Sequence, residues 1–347
     1  MLTRRDAIHH LLRLGLLQPE DLVNRSITAS EYVGRNHLVR VESPGAPSFI
    51  VKQPRDTSAP DAMTMWTEAA IFWMSQNEPA FAPLAAWMPK YYHYDERNAI
   101  LTIELIPSSD SLMAKLATGA PVAPSMLHDV GRAFGALHGP VSAILQDERT
   151  RKLFRTGPAW AMTLGSSHQH YAPSTQAAHA ILGRVMQRPD ALAGLERARG
   201  AWRDAHVIHG DAKAANILVL DDGSVRVIDW EIAALGDGLW DLGGLVHSLL
   251  VPNPMVRADA LPVAERRARP LLDALWDGYR STGPPLPAGD DPRVTMLRLA
   301  GVRMVQTCLE SAQFTDQVHP SVEGVLEIGL ELLTRPEASR ERWERAA

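Results

Sequence analysis

Residues 209–231 read His-Gly-Asp-Ala-Lys-Ala-Ala-Asn-Ile-Leu-Val-Leu-Asp-Asp-Gly-Ser-Val-Arg-Val-Ile-Asp-Trp-Glu. Two short apolar runs rich in β-forming residues, Ile217–Leu220 and Val225–Ile228, flank the polar sequence Asp-Asp-Gly-Ser. Asp-Gly between two such runs is the strongest short-range signal for a β-hairpin. The stretch therefore predicts a tight hairpin with polar residues just outside both of its strands.

The register of this hairpin decides which polar side chains meet. A two-residue turn at its tip places Leu220 opposite Val225 and, at the open end, Asn216 opposite Asp229. Directly opposed residues have Cα atoms ~4.5–5.5 Å apart. Mg²⁺ takes oxygen ligands and keeps substrate phosphates in its shell. With Asp211 just upstream, the segment predicts a site that holds a metal-bound phosphate and orients a hydroxyl toward it.

The sequence His-Gly-Asp-x-x-x-x-Asn followed by Ile-Asp-Trp-Glu resembles the aminoglycoside phosphotransferase and choline kinase superfamily. These are small-molecule kinases similar in fold to protein kinases. The continuation at 236–242, Gly-Asp-Gly-Leu-Trp-Asp-Leu, resembles the family's Gly-Asp-Pro-x-x-Asp-Leu, with Gly238 at the usual proline position. The resemblance covers roughly residues 30–250.

The resemblance implies specific roles for the polar residues. Asp211 is expected to be the catalytic base or hydroxyl-orienting residue, and Asn216 and Asp229 the Mg²⁺ ligands. Asp241 and His209 are expected to brace the catalytic loop. The implied nucleotide is ATP, used together with Mg²⁺.

A kinase also needs cations for the phosphates. Lys52 ends the apolar run Phe-Ile-Val, as in the kinase Val-Ala-Ile-Lys context. Glu68 lies on a predicted helix that is mostly apolar, where an unpaired charge is costly, so we expect an ion pair between the two. Lys213 could stabilise the γ-phosphoryl in transfer; the alternative is a solvent-facing loop lysine.

The expected nucleotide contacts are less distinctive. The turn Tyr32–His37 has one glycine, Gly34, and its backbone N–H groups can cradle phosphate without a Gly-rich signature; a plain hairpin turn is the alternative. Glu104 to Ile106 match the family's hinge, whose backbone groups hydrogen-bond adenine.

The predicted elements give an α+β, bilobal protein-kinase-like fold. Three strands (26–33, 37–42 and 48–53), a helix (63–76) and two strands (90–94 and 99–105) follow a first helix at 3–17. Helices dominate after about residue 110. We predict a small β-rich N-lobe for nucleotide binding at 1–106, and a larger, mostly helical C-lobe at 107–347 with the catalytic loop, the metal site and the substrate region.

The composition excludes some classes of protein. The chain has 347 residues and a net charge of −5, so there is no basic footprint for nucleic acid. No apolar run approaches the ~20 residues that span a membrane, and Arg13 interrupts the N-terminal apolar stretch in a way that signal peptides do not. A cytoplasmic protein is expected. The sequence leaves its oligomeric state open.

The expected reaction moves the γ-phosphoryl of Mg·ATP to a hydroxyl of a small molecule such as an amino sugar, an antibiotic or an amino alcohol. The alternatives are a protein kinase acting on a peptide and a catalytically inactive kinase-fold regulator. Against a protein kinase, Trp-Glu rather than Phe-Gly follows Asp229, and eleven residues separate it from Asp241. Candidate walls for the acceptor are the 158–171 segment, Trp230, Glu231, Arg303 and Glu310.

Overall fold

The computed structural model describes residues 2–34, 36–56, 59–106, 109–146, 148–166, 171–255, 257–286 and 291–345. The chain divides into two compact units. The first comprises Met1–Asp110 with Leu218–Ala233, and the second Ser111–Ile217 with Ala234–Ala347. Residues 218–233 thus cluster with the N-terminal unit, whereas sequence analysis assigned them to the C-lobe; the functional boundary at residue 106 stays a prediction.

An antiparallel sheet of five strands forms the centre of the first unit, with the order β1-β2-β3-β5-β4. The strands are β1 (Thr28–Val33), β2 (Asn36–Glu42), β3 (Phe49–Pro54), β4 (Tyr91–Asp95) and β5 (Ile100–Glu104). The helices are α1 (Arg4–Arg13), α2 (Pro19–Asn24) and α3 (Ala59–Asn77), and a 3₁₀ segment follows at Pro79–Trp87. The predicted order of strands and helix is confirmed.

The core of this unit follows from the alternation of apolar residues. In β2, Asn36, Leu38 and Arg40 are partly buried, while Val39 and Val41 are fully buried, as the two-residue period of a strand requires. They pack with Leu11 of α1 and other apolar residues in one cluster. This packing holds β3, and the lysine it carries, in place.

The remaining elements are mostly helical. In chain order they are β6 (Asp110–Ser111), α4 (Leu112–Thr118), α5 (Pro124–His138), α6 (Glu148–Arg151), α7 (Gln176–Met186), α8 (Pro189–Ala201), β7 (His206–Ile208), β8 (Ile217–Val219), β9 (Val225–Val227), β10 (Ala234–Gly236), α9 (Gly238–Leu250), α10 (Leu261–Thr282), α11 (Pro292–Ala312), α12 (Pro320–Thr334) and α13 (Pro336–Arg345). In the second unit, β7 pairs with β10, and α9 packs against α11. No helix within the described residues has the length and apolarity needed to cross a bilayer.

The predicted hairpin is present as β8 and β9, which are neighbours in a sheet, but the predicted register is wrong. Leu220 N–H donates to Ser224 O at 2.9 Å, and Gly223 N–H donates to Leu220 O at 2.9 Å. The loop therefore has three residues, with Gly223 at φ 82°, as in a turn that ends in a glycine bulge. Leu220 is opposite Ser224 rather than Val225, so the argument that set Asn216 opposite Asp229 by strand register fails.

Candidate active site

The first unit contains a buried ion pair between β3 and α3. Lys52 Nζ lies 2.7 Å from Glu68 Oε2, and the two side chains are 9% and 2% exposed. Lys52 is paired with the fully buried Leu101 of β5, and its ammonium group is removed from bulk water. The predicted Lys52–Glu68 pair is present.

Two further carboxylates surround the same ammonium group. Asp229 Oδ1 lies 3.0 Å and Glu231 Oε2 3.8 Å from Lys52 Nζ. Asn36 at the start of β2 donates from Nδ2 to Glu231 Oε2 at 3.0 Å. Glu231, which the sequence suggested for the acceptor wall, lies beside Lys52, and its role in that wall stays a prediction.

Local backbone geometry explains how Asp229 reaches the lysine. β9 ends at Val227, and Asp229 has a φ of 68°, in the left-handed region that non-glycine residues seldom adopt. This change of direction turns the chain out of the strand and carries the carboxylate to Lys52. Strand periodicity could not have predicted it.

The cluster combines one positive charge with three carboxylates. Burial alone lowers the pKa of Lys52, but Glu68, Asp229 and Glu231 outweigh burial and raise it, so the ammonium stays charged. Burial raises the pKa of Glu68, against the opposing effect of Lys52. Oxygen atoms of the three carboxylates lie within 4.8 Å of one another. Such a set of hard oxygen donors fits Mg²⁺ or Ca²⁺.

In the second unit, Asp241 holds the loop that follows β7. Its carboxylate accepts hydrogen bonds from the backbone N–H groups of His209 at 2.7 Å and Gly210 at 2.9 Å, and from His138 Nε2 at 3.1 Å. Asp241 is fully buried. Trp240 Nε1 donates to Gly210 O at 2.9 Å. Residues in the first turn of α9 thus fix the loop backbone, as expected for Asp241.

Asp211 lies in this loop between two cations. Arg303 Nη2 of α11 contacts Oδ1 at 2.6 Å, and Lys213 Nζ contacts Oδ2 at 2.6 Å. Burial alone would raise the pKa of the Asp211 carboxyl, but Arg303 and then Lys213 outweigh it and hold the pKa below its ordinary value. Asn216 Nδ2 donates to Asp211 O at 3.0 Å. The carboxylate is therefore ionised and fixed.

The predicted nucleotide contacts are placed as follows. Gly34 N–H donates to Asn36 O at 3.1 Å in the β1–β2 turn, and Arg35 of that turn lies outside the described residues. Glu104 N–H donates to Lys90 O at 2.8 Å. Ile106 is buried, while residues 107 and 108 of the predicted linker also lie outside the described residues. The nucleotide roles of Gly34, Glu104 and Ile106 stay predictions.

The residues suggested for the acceptor wall lie in different surroundings. Trp230 is 2% exposed and donates from Nε1 to Val227 O at 3.1 Å, so it is a core residue of the first unit and the wall prediction for it is wrong. In the second unit Trp160 and Tyr171 stack with ring centroids 4.8 Å apart. Glu310 accepts from Gln306 Nε2 at 2.9 Å. Within the 158–171 segment, residues 167–170, which include His168 and His170, lie outside the described residues.

The model of the phosphotransferase enzyme family (APH) matches residues 31–282, more than half of the chain. The chain belongs to this family. It is a phosphotransferase that acts on hydroxyl groups of small molecules, as the sequence predicted. None of the curated protein sequences matches this phosphotransferase.

Solved structures of similar fold share little sequence with this phosphotransferase. A choline/ethanolamine kinase family protein from Mesorhizobium loti is 17% identical with a TM-score of 0.54, covering 98% of both chains. The macrolide 2'-phosphotransferase MphH from Brachybacterium faecium is 17% identical with a TM-score of 0.51, covering 95% of this chain and 99% of its own. The amicoumacin kinase hAmiN is 15% identical with a TM-score of 0.55, covering 95% and 94%. The predicted α+β protein-kinase-like fold class is confirmed.

Sequence analysis missed two contacts of this phosphotransferase. It did not connect Arg303 with Asp211, which are 92 residues apart, or Glu231 with Lys52. The second contact had a signal, because Glu231 follows Asp229 by two residues. Nothing in the amphipathic pattern of α11 singles out Arg303 among its arginines.

Proposed function

We propose that the enzyme transfers the γ-phosphoryl group of ATP, bound with Mg²⁺, to a hydroxyl of an amino sugar, an antibiotic or an amino alcohol. The observation that carries this proposal is the position of Lys52 among Glu68, Asp229 and Glu231. A buried lysine provides a fixed cation for nucleotide phosphates, and the carboxylates provide oxygen ligands for a divalent ion. Charge neutralisation of this kind is most of what catalysis of phosphoryl transfer requires.

Each residue of the two clusters has a definite part in this proposal. Lys52, held by Glu68, neutralises the α- and β-phosphates. Asp229 and Asn216 are the proposed metal ligands, with Glu231 as an additional oxygen donor. These residues would hold a Mg²⁺ ion, which would supply positive charge that neutralises the phosphates.

Asp211 is the proposed acceptor-orienting residue. Its lowered pKa keeps it ionised, so that it can accept a hydrogen bond from the substrate hydroxyl and take its proton late in the transfer. Lys213, whose side chain is 43% exposed, is proposed to reach the transferred phosphoryl group. The similar fold of hAmiN, whose structure contains AMP-PNP and Ca²⁺, supports the assignment of a nucleotide and a divalent ion.

The alternative kinase and regulator functions fit less well. Eleven residues separate Asp229 from Asp241, and they contain β10 and the start of α9. This leaves no long activation segment for docking a peptide. A regulator without catalysis would have no use for a buried lysine held against three carboxylates, since burying charges is costly.

The test is a screen of hydroxyl-bearing metabolites and antibiotics for ADP release with Mg·ATP, with ³¹P NMR to identify the phosphate ester. Asp211→Asn should lower kcat about 10²–10⁴-fold. Asp190→Asn, which alters an exposed aspartate paired with Arg188, is the matched control and should keep wild-type turnover. Equal activity of Asp211→Asn and wild type would overturn the role of Asp211, and the absence of any Mg·ATP-dependent product would overturn the proposed reaction.

A further inference from the structure

Arg303 contacts Asp211 from the helical side of the second unit. The guanidinium lies 2.6 Å from the carboxylate, and its side chain is 7% exposed, whereas that of Lys213 is 43% exposed. Each oxygen of Asp211 thus has its own cation. One cation is buried in the packed core and the other is open to solvent.

The surroundings of Arg303 fix its position. The guanidinium carbon lies 5.0 Å from the centre of the Trp240 ring, a cation–π geometry. The same indole donates to the backbone oxygen of Gly210 in the catalytic loop. Among the described residues Arg303 Nε has no hydrogen-bond partner, and the guanidinium contacts Asp211 and the Trp240 ring.

The helix α9 packs closely on the loop beside Arg303. A Cβ atom at Gly244 would lie 2.1 Å from Ala212 O and 3.6 Å from Arg303 Nε. Only glycine allows the helix and the loop to approach this closely, and Arg303 Nε lies at ordinary van der Waals distance from the same position. Lys213, by contrast, has a flexible four-carbon stem and a compact charge.

We propose that Arg303 is a positioning residue that fixes the Asp211 carboxylate, so that Lys213 can leave that carboxylate for the transferred phosphoryl group. The inference rests on the proposed function for the phosphoryl step, but the contact between Arg303 and Asp211 does not. With Lys213 alone, movement of the lysine would free Asp211 to rotate. With Arg303 in place, Asp211 keeps both its orientation and a counter-charge.

The test compares Arg303→Met, Arg303→Lys and Lys213→Met with a matched control. Arg298→Met removes another buried arginine of α11, one paired with Glu337 at 3.0 Å. Hydrogen–deuterium exchange of the 207–216 peptide in the nucleotide-free protein should accelerate in Arg303→Met only. It should stay at the wild-type rate in Lys213→Met and Arg298→Met, whatever reaction the enzyme catalyses.

Steady-state kinetics supply the second readout. Arg303→Met should lower kcat about 100-fold, as expected for a displaced catalytic group, with an unchanged KM for ATP. Arg303→Lys should recover only part of this loss, because lysine keeps the charge but lacks the planar group that stacks on Trp240. In an Asp211→Asn background Arg303→Met should have little further effect, since both changes act through one carboxylate.

Three results would overturn the proposed role of Arg303. Wild-type loop exchange in Arg303→Met, or equal acceleration in Arg298→Met, would overturn it. So would additive effects of Arg303→Met and Asp211→Asn on kcat. If no acceptor is phosphorylated at all, the proposed function fails, while the exchange experiment still decides whether Arg303 fixes the loop.

Discussion

Replacement of Lys52 by methionine should destabilise the first unit in a pH-dependent way. The variant keeps the volume of the side chain but removes the positive charge that Glu68, Asp229 and Glu231 share. Breaking a buried ion pair by removing one partner costs about 3–5 kcal/mol. Repulsion gives a similar magnitude: between the buried Glu68 and the partly buried Glu231, whose oxygens lie within 4.8 Å, it is about 3.5 kcal/mol at an effective dielectric constant of ~20.

The sign of the pH dependence follows from Glu68. Its pKa is raised in the folded protein by burial above the ordinary value of 4.5, and loss of Lys52 removes the cation that opposes this rise. A group with a raised folded pKa favours the folded state below its unfolded pKa and loses that contribution as the pH rises through the folded pKa. The stability difference between Lys52→Met and wild type should therefore be small near pH 4.5 and should grow as the pH rises above about 7, the folded pKa of Glu68 in the wild type.

Native-state hydrogen exchange of the β3 amides measures the free energy of opening of this unit. Lys90→Met is the matched control, because Lys90 is exposed and contacts the Tyr92 ring, an interaction worth about 0.5–1 kcal/mol. A loss in Lys52→Met no larger than in the control at pH 8 would refute the reasoning. A loss that does not shrink on acidification would refute the assignment to Glu68.

Three further predictions concern the loop and the metal. Asp241→Asn should lower kcat, because the carboxylate accepts two backbone N–H bonds of the loop and bonds to a charged group contribute about 1.5–3 kcal/mol each; exchange of the 207–216 peptide should rise in parallel. Gly244→Ala should lower both kcat and the melting temperature, because the added Cβ would lie 2.1 Å from Ala212 O. Gly183→Ala is its control: a Cβ there would have no atom within 4 Å, so the protein should be unchanged or more stable by about 0.5–1 kcal/mol. Removal of divalent ions with a chelator should abolish ADP release and added Mg²⁺ should restore it; turnover that survives chelation would contradict the metal assignment.

The order of elements in the first unit could be predicted because it depends on local patterns. Alternating apolar residues predicted the strands, and a capping box of Thr3 and Asp6 begins α1. The presence of the hairpin was predicted correctly, but the register of its two strands was predicted wrongly. Asp-Asp-Gly-Ser is compatible with a two-residue turn at Asp-Gly and with a three-residue loop that ends in a left-handed glycine, and only packing selects between them.

The residue pairs of the candidate site also differ in how far the sequence alone predicts them. Glu68 could be paired with Lys52 because a charge on an apolar helix requires a partner. Asp229 could be singled out, but its approach to Lys52 depends on a positive φ that strand periodicity does not predict. The contact between Arg303 and Asp211 depends on the packing of α11 against α9, which brings together residues far apart in the chain, and no local pattern contains that information.

The charges of the two clusters point to complementary partners. In the first unit one lysine faces three carboxylates, so an excess of negative charge is left that a divalent cation can neutralise. In the second unit Asp211 faces Arg303 and Lys213, so an excess of positive charge is left that favours an anionic group. Because buried and partly buried charges are poorly screened by salt, each excess should attract its partner even at physiological ionic strength. Phosphoryl transfer brings together a divalent ion and an anionic phosphoryl group, and this pair of opposite charge imbalances suits that reaction better than it suits a protein that only binds.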